Sequence, residues 1–270
     1  MKKHLPLIIT GLPALLITSL PAYSESMLPV ELFPNIAGIG IGSTPEFSGA
    51  KDRITGAAPG FRYKLSGYRY VEWLGPLVNV NVIDSPHWRA GPTLNYRFGR
   101  SDVEDPAVNL LPEIDGTLEG GAFATYSYIN TKGIPWLIRM GVSGMTDLGN
   151  EHNGVSATVF GSIWMPLSRT VFVGLGGGAV YGSRDFMQTY YGVTTAGAAA
   201  SGLSPYSPDG GLRNYFIWPA VIWKFDNNWA AGAMLFYQRL TGAAADSPIV
   251  RDRGTEHQLT GGIGIGYLWK

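Results

Sequence analysis

The sequence predicts an all-β chain, a transmembrane antiparallel β-barrel of about 12 strands. Three observations predict it: an export signal with no later helical anchor, period-two alternation, and long loops at every other connection. The alternation is cleanest in residues 88–98. There Trp88, Ala90, Pro92, Leu94, Tyr96 and Phe98 fall on one side, and Arg89, Gly91, Thr93, Asn95 and Arg97 on the other. Successive side chains of a strand point to opposite faces, so this is a ribbon with one greasy and one polar, partly cationic flank. In a soluble secreted β-fold the greasy flank would face a core; in a barrel it faces lipid and the arginines face the interior.

The N-terminus carries Lys2 and Lys3, then the apolar run Leu5–Leu20, then Ala22 and Ser24 as small residues of a cleavage site. That is the anatomy of a secretory signal peptide over residues 1–24. Pro6, Gly11 and Pro13 make the same stretch a poor buried helix. Beyond it no run reaches the ~18–20 apolar residues that a spanning helix needs. The chain has no cysteine, so neither disulfides nor thiolate metal sites contribute. Formal charge is zero, and loss of the two leader lysines makes it −2. No basic run or tail points to nucleic acid. The 37 glycines and 12 % aromatic content suit an outer-membrane barrel.

Strand-like segments follow at 36–47, 58–66, 68–74, 77–83, 87–99, 117–128, 134–145, 153–165, 169–182, 212–224, 228–239 and 258–269. An even number puts both termini on one side. The count falls to ten if the short segments 68–74 and 77–83 are not strands. The domain reading is therefore a signal at 1–24, a periplasmic N-terminal segment at 25–35, and one barrel over 36–270. Short turns (66–67, 84–86, 130–133, 166–168, 225–228) alternate with longer connections (48–57, 100–116, 146–152, 183–211, 240–257). This is the asymmetry of short periplasmic turns and longer outer loops. Only the tight 73–76 turn breaks the pattern. Trp136, Tyr181, Trp223, Trp229, Tyr237, Tyr267 and Trp269 lie near strand ends on the apolar register. Such positions suit the girdles that Trp and Tyr form at the membrane interface.

Motifs with catalytic potential are weak. GLGGGA (174–179), GIGIGS (38–43) and GIGIGY (262–267) imitate a dinucleotide fingerprint, but none opens a helix that could receive a pyrophosphate. His87, His152 and His257 fall at strand ends or loop edges without metal-ligand spacing or a triad, and read as solvated. The acidic loop 101–115 lacks the spacing of an EF-hand and reads as solvated too. An outer-membrane hydrolase is thus the weakest reading. We expect no catalytic residues, no metal and no cofactor.

The polar register is the more informative feature. It directs Arg62, Lys64, Arg89, Arg97 and Arg139 inward, with Glu119 as a balancing acid and Phe160, Trp164, Phe172 and Phe216 filling space. Buried charge must be paired or hydrated. The interior is then either a narrow anion-favouring pore or a plug of mutually satisfied charges, and the aromatics favour the plug.

Three stretches, QTYYGVTTAGAAASGLSPYSPDGGL (188–212), NNWAAGAMLFYQRLTGAAADSPIV (227–250) and the terminal GIGIGYLWK, resemble the MipA/OmpV family. GIGS (40–43), Arg89–Pro92 and Phe98–Arg100 agree more loosely. The resemblance implies an outer-membrane barrel with no catalytic residues. For its murein-linked members it implies a scaffold that holds a lytic transglycosylase, a murein hydrolase, near a penicillin-binding murein synthase in the periplasm. Other relatives are osmolarity-responsive outer-membrane proteins or surface antigens. Such barrels commonly end on an aromatic residue, whereas here Trp269 is penultimate and Lys270 last. A periplasmic scaffold needs a docking surface, and Met27, Leu28, Val30, Leu32 and Phe33 of the N-terminal segment are the candidates.

Overall fold

Every strand finds two antiparallel neighbours, and the twelfth closes on the first. The computed structural model describes residues 35–269. The leader, the docking candidates Met27, Leu28, Val30, Leu32 and Phe33, and Lys270 lie outside the described residues. The strands are β1 (Asn35–Pro45), β2 (Arg53–Ser66), β3 (Arg69–Leu74), β4 (Leu77–Asn81), β5 (Trp88–Arg97), β6 (Thr117–Asn130), β7 (Trp136–Asp147), β8 (Val155–Pro166), β9 (Val171–Gly182), β10 (Gly211–Lys224), β11 (Trp229–Leu240) and β12 (His257–Trp269). They pair in chain order, and β1 meets β12 from Asn35–Trp269 to Ser43–Gly261. Closure lets the strands satisfy one another's backbone groups around the wall, which is what permits a sheet to cross hydrocarbon.

The alternation resolves as lipid outside and polar groups inside. In β5, Trp88, Leu94 and Tyr96 are exposed, while Arg89, Thr93 and Asn95 are buried. In β12, Leu259, Ile263, Ile265 and Tyr267 are exposed, opposite buried Gln258 and Thr260. Exposed Trp88, Trp223, Trp229 and Tyr267 gather at the short-turn end, and Tyr96, Tyr181 and Tyr215 at the long-loop end. These are the two girdles.

Two segments differ from the sequence expectation. β2 begins at Arg53 rather than near residue 58, so the first outer loop is shorter than foreseen. Pairing of Ile54–Ala57 with Ile41–Thr44 extends the ladder where turn-like residues masked the strand pattern. The 73–76 turn lies on the long-loop side but belongs to a stunted hairpin, with β3 of 6 residues and β4 of 5. Its tip is tied down by Gly75 N–H to Pro59 O (3.0 Å) and Tyr96 N–H to Pro76 O (2.9 Å). The wall is low there, and β2 above Gly60 has a strand neighbour on one side only.

The loops over the outer mouth fold. They contain α1 (Arg184–Tyr191), α2 (Thr195–Ser201) and the single turns α3 (Gly242–Ala245) and α4 (Pro248–Arg251). Phe186, Met187 and Tyr191 of α1 pack on Leu240, Ala244 and Val250. A second cluster joins Phe47, Val103, Val108, Leu111, Val193, Leu203 and Ile249 from four connections. Asp105 is buried in this cap. Burial alone would raise its pKa, but hydrogen bonds from Arg253 (3.0 Å to Oδ1) and from the Val108 and Ala107 amides hold it below 3.8. The loop read as solvated is therefore partly a packed lid.

Candidate functional site

The interior divides into an aromatic half and a charged half. On β8–β10, Phe160, Trp164, Phe216 and Trp218 are buried, and Phe172 is half-buried against them. The glycines of β9 make room: a Cβ on Gly176 would stand 2.3 Å from the Trp218 ring, and one on Gly174 2.6 Å from Trp164. The Gly-rich run of 174–179 is thus a bed for two indoles, whose centroids are 5.8 Å apart.

The charged half lies on β2–β7. Register pairs Arg62 with Glu72, and the two form a buried ion pair, with the guanidinium 5.0 Å from the Tyr70 ring. Glu72 was not foreseen. Its signal was present, since Tyr70, Glu72 and Leu74 share the face opposite Arg62 across the Gly67 turn. Arg89 is buried near the Ser85 and Pro86 carbonyls (3.3 and 3.4 Å). Arg139 donates from Nε to Ser127 Oγ (3.2 Å), and Thr93 donates to Asn79 Oδ1 (2.7 Å). Lys64 departs from the expectation. It keeps the register of Arg62 but is exposed at the rim, beside the Ser66–Arg69 turn. An ammonium within reach of water stays hydrated and needs no carboxylate.

Glu119 organises the outer end of this half. One carboxylate accepts from Asn95 Nδ2 (2.7 Å), Arg97 Nε (2.7 Å) and His152 Nε2 (3.2 Å). His152 Nδ1 accepts the Gly154 amide (3.0 Å), which leaves the ring proton on Nε2, facing Glu119. His152 is therefore buried and engaged rather than solvated. Loop folding brings it in: Asp147 accepts from Thr117 Oγ1 (2.6 Å) and from the His152 and Asn153 amides (2.6 and 2.9 Å), bending the β7–β8 connection inward. His87 and His257 remain at the strand ends. The Arg97 guanidinium lies 4.8 Å from the Phe186 ring and 5.4 Å from that of Tyr190, so α1 seals the network from above. Among the described residues no group of three or more His, Asp and Glu side chains is placed to hold a metal ion.

A closed wall with a lipid-facing apolar band and an interior of interlocked side chains defines an outer-membrane β-barrel. The chain belongs to the family described as MltA-interacting protein MipA, whose profile matches residues 37–269. Comparison with curated sequences finds no match. Among solved structures the chain is similar to the NanC porin (10 % identity, TM-score 0.45, covering 86 % of this chain and 100 % of that one). It is also similar to the CymD monoaromatic hydrocarbon channel (10 %, 0.41, 87 % and 88 %). A third is the translocator domain of the autotransporter NalP from Neisseria meningitidis (12 %, 0.38, 87 % and 88 %).

Proposed function

We propose that this barrel is a non-enzymatic membrane anchor that brings a lytic transglycosylase and a penicillin-binding murein synthase together at the periplasmic face. One observation carries the choice of anchor over channel: the interior charges are buried and engaged, with Arg62, Arg89 and Arg139 each no more than 2 % exposed, beneath a packed lid. A conducting lumen keeps its charges hydrated. The family's description as MltA-interacting supports a murein-linked partner. The short-turn face supports docking, because Ile134 and Leu167 are each 74 % exposed at turn tips. Under this reading the apolar residues Met27, Leu28, Val30, Leu32 and Phe33 add to that surface.

Deleting Ser26–Phe33 is expected to weaken crosslinking of murein enzymes in intact cells while heat-modifiable migration shows a folded barrel. Undiminished capture would remove this segment from the docking surface. The runner-up is a small pore with a cationic lumen, which draws on Arg62, Arg89, Arg97 and Arg139. Planar-bilayer recording separates the two. The anchor predicts no stable steps; anion-selective steps lost on neutralising Arg89 and Arg97 would establish the pore instead.

A further inference from the structure

A small chamber lies between the charged network and the lid. It measures about 50 Å³ and is lined by Arg97, Arg100, Arg213, Tyr190, Ser48 and Gln238 among others. At about 10–15 Å³ per water, it has room for a few waters or for the oxygens of one oxyanion. Its charge does not balance. Glu119 is engaged by Arg97, Asn95 and His152. Among the described residues, Arg100 and Arg213 have no carboxylate partner, yet they are only 7 % and 4 % exposed. Arg100 reaches just the Tyr190 carbonyl, at 3.5 Å, and the Phe47 ring, at 5.9 Å. Arg213 donates to its neighbour Asn214 Oδ1 (2.7 Å) and stands 5.5 Å from the Phe186 ring. The Tyr190 hydroxyl is buried with no hydrogen-bond partner.

Two guanidiniums removed from water without an acid are costly, and aromatic faces offset only part of that cost. Burial brings the Arg100 pKa from 12.5 down to about 10, so at neutral pH the charge is still present. A guanidinium presents paired donors that match the oxygens of a phosphate or carboxylate. Their placement is informative as well. Arg100 belongs to the β5–β6 connection, Arg213 to β10 and Tyr190 to α1, so wall and lid both contribute to the chamber.

We propose that this chamber binds a small oxyanion, a phosphate or carboxylate group, on Arg100 and Arg213 with the Tyr190 hydroxyl as a further donor. The anion ties the lid to the barrel mouth. It is either free in solution or the headgroup of an outer-leaflet lipid, since Tyr96 beside the chamber also reaches the girdle.

The test uses the full mature chain folded in non-ionic detergent. Its unfolding midpoint is followed by tryptophan fluorescence as inorganic phosphate replaces chloride at constant ionic strength. Wild type is expected to show a saturable rise. Arg100→Gln and Arg213→Gln are expected to require about tenfold more phosphate or to show no saturation, while Arg53→Gln, exposed on β2, behaves as wild type. Line broadening of the phosphorus resonance of free phosphate, seen with wild type and lost in both variants, provides a readout independent of stability. A parallel arm in nanodiscs assigns the source. Stabilisation by soluble phosphate alone identifies a free anion, and stabilisation only by anionic lipid identifies a headgroup. Equal responses of wild type and both variants in both arms would overturn the site.

Discussion

Replacing Glu119 by Leu is expected to destabilise the folded barrel by about 3–5 kcal/mol, read as a lower urea midpoint for refolding in lipid vesicles. The magnitude is that of removing one partner of a buried ion pair, which strands the other charge. Here the loss is shared by three donors on one carboxylate, from Asn95, Arg97 and His152. Arg97 lies against the rings of Phe186 and Tyr190, which cover most of its guanidinium. The double substitution Glu119→Leu with Arg97→Met should recover part of the loss, because an apolar pair of similar volume avoids the stranded charge. A cost below about 1 kcal/mol for the single change would mean the network is hydrated. The plugged interior, and the preference for an anchor over a channel, would fall with it.

Trp218→Ala is expected to cost about 3–5 kcal/mol, in the range of large aromatic deletions from packed cores. The indole is 3 % exposed, packs against Trp164 and lies on the bed made by Gly176. The reciprocal change, Gly176→Val, should also destabilise, by about 1–3 kcal/mol, because its side chain would occupy the space of the ring. The two positions share one volume, so their effects should not add. Gly176→Val in a Trp218→Leu background is expected to cost less than in wild type. Additive effects would show that the two residues do not compete for the same space.

Legibility in the sequence falls with the range of the interaction. Alternation is local, and apart from the start of β2 it places the strands within a few residues, including Trp88–Arg97 and the terminal Ile263–Ile265–Tyr267 face. Glycines opposite such a face were legible as inward positions, although which indole each would seat was not. The partners of charges were harder. Arg62 meets Glu72 only if the short, insecure segment 68–74 is a strand, and the pairing follows once that hairpin is accepted. His152 looked like a loop residue because its inward path is set by the hydrogen bonds of Asp147. Arg100, Arg213 and Tyr190 come from three different parts of the chain and converge only when the lid folds. No periodicity carries that information.

A barrel in the membrane has hydrocarbon against one flank of every strand. The chain's lack of cysteine makes the direct measurement clean: single cysteines at successive positions 88–97, each labelled with a fluorophore in vesicles containing brominated lipid. Quenching with a period of two is expected, at Trp88, Ala90, Pro92, Leu94 and Tyr96, with protection at Arg89, Gly91, Thr93, Asn95 and Arg97. Quenching of the second set, or none with that period, would contradict the lipid-facing assignment.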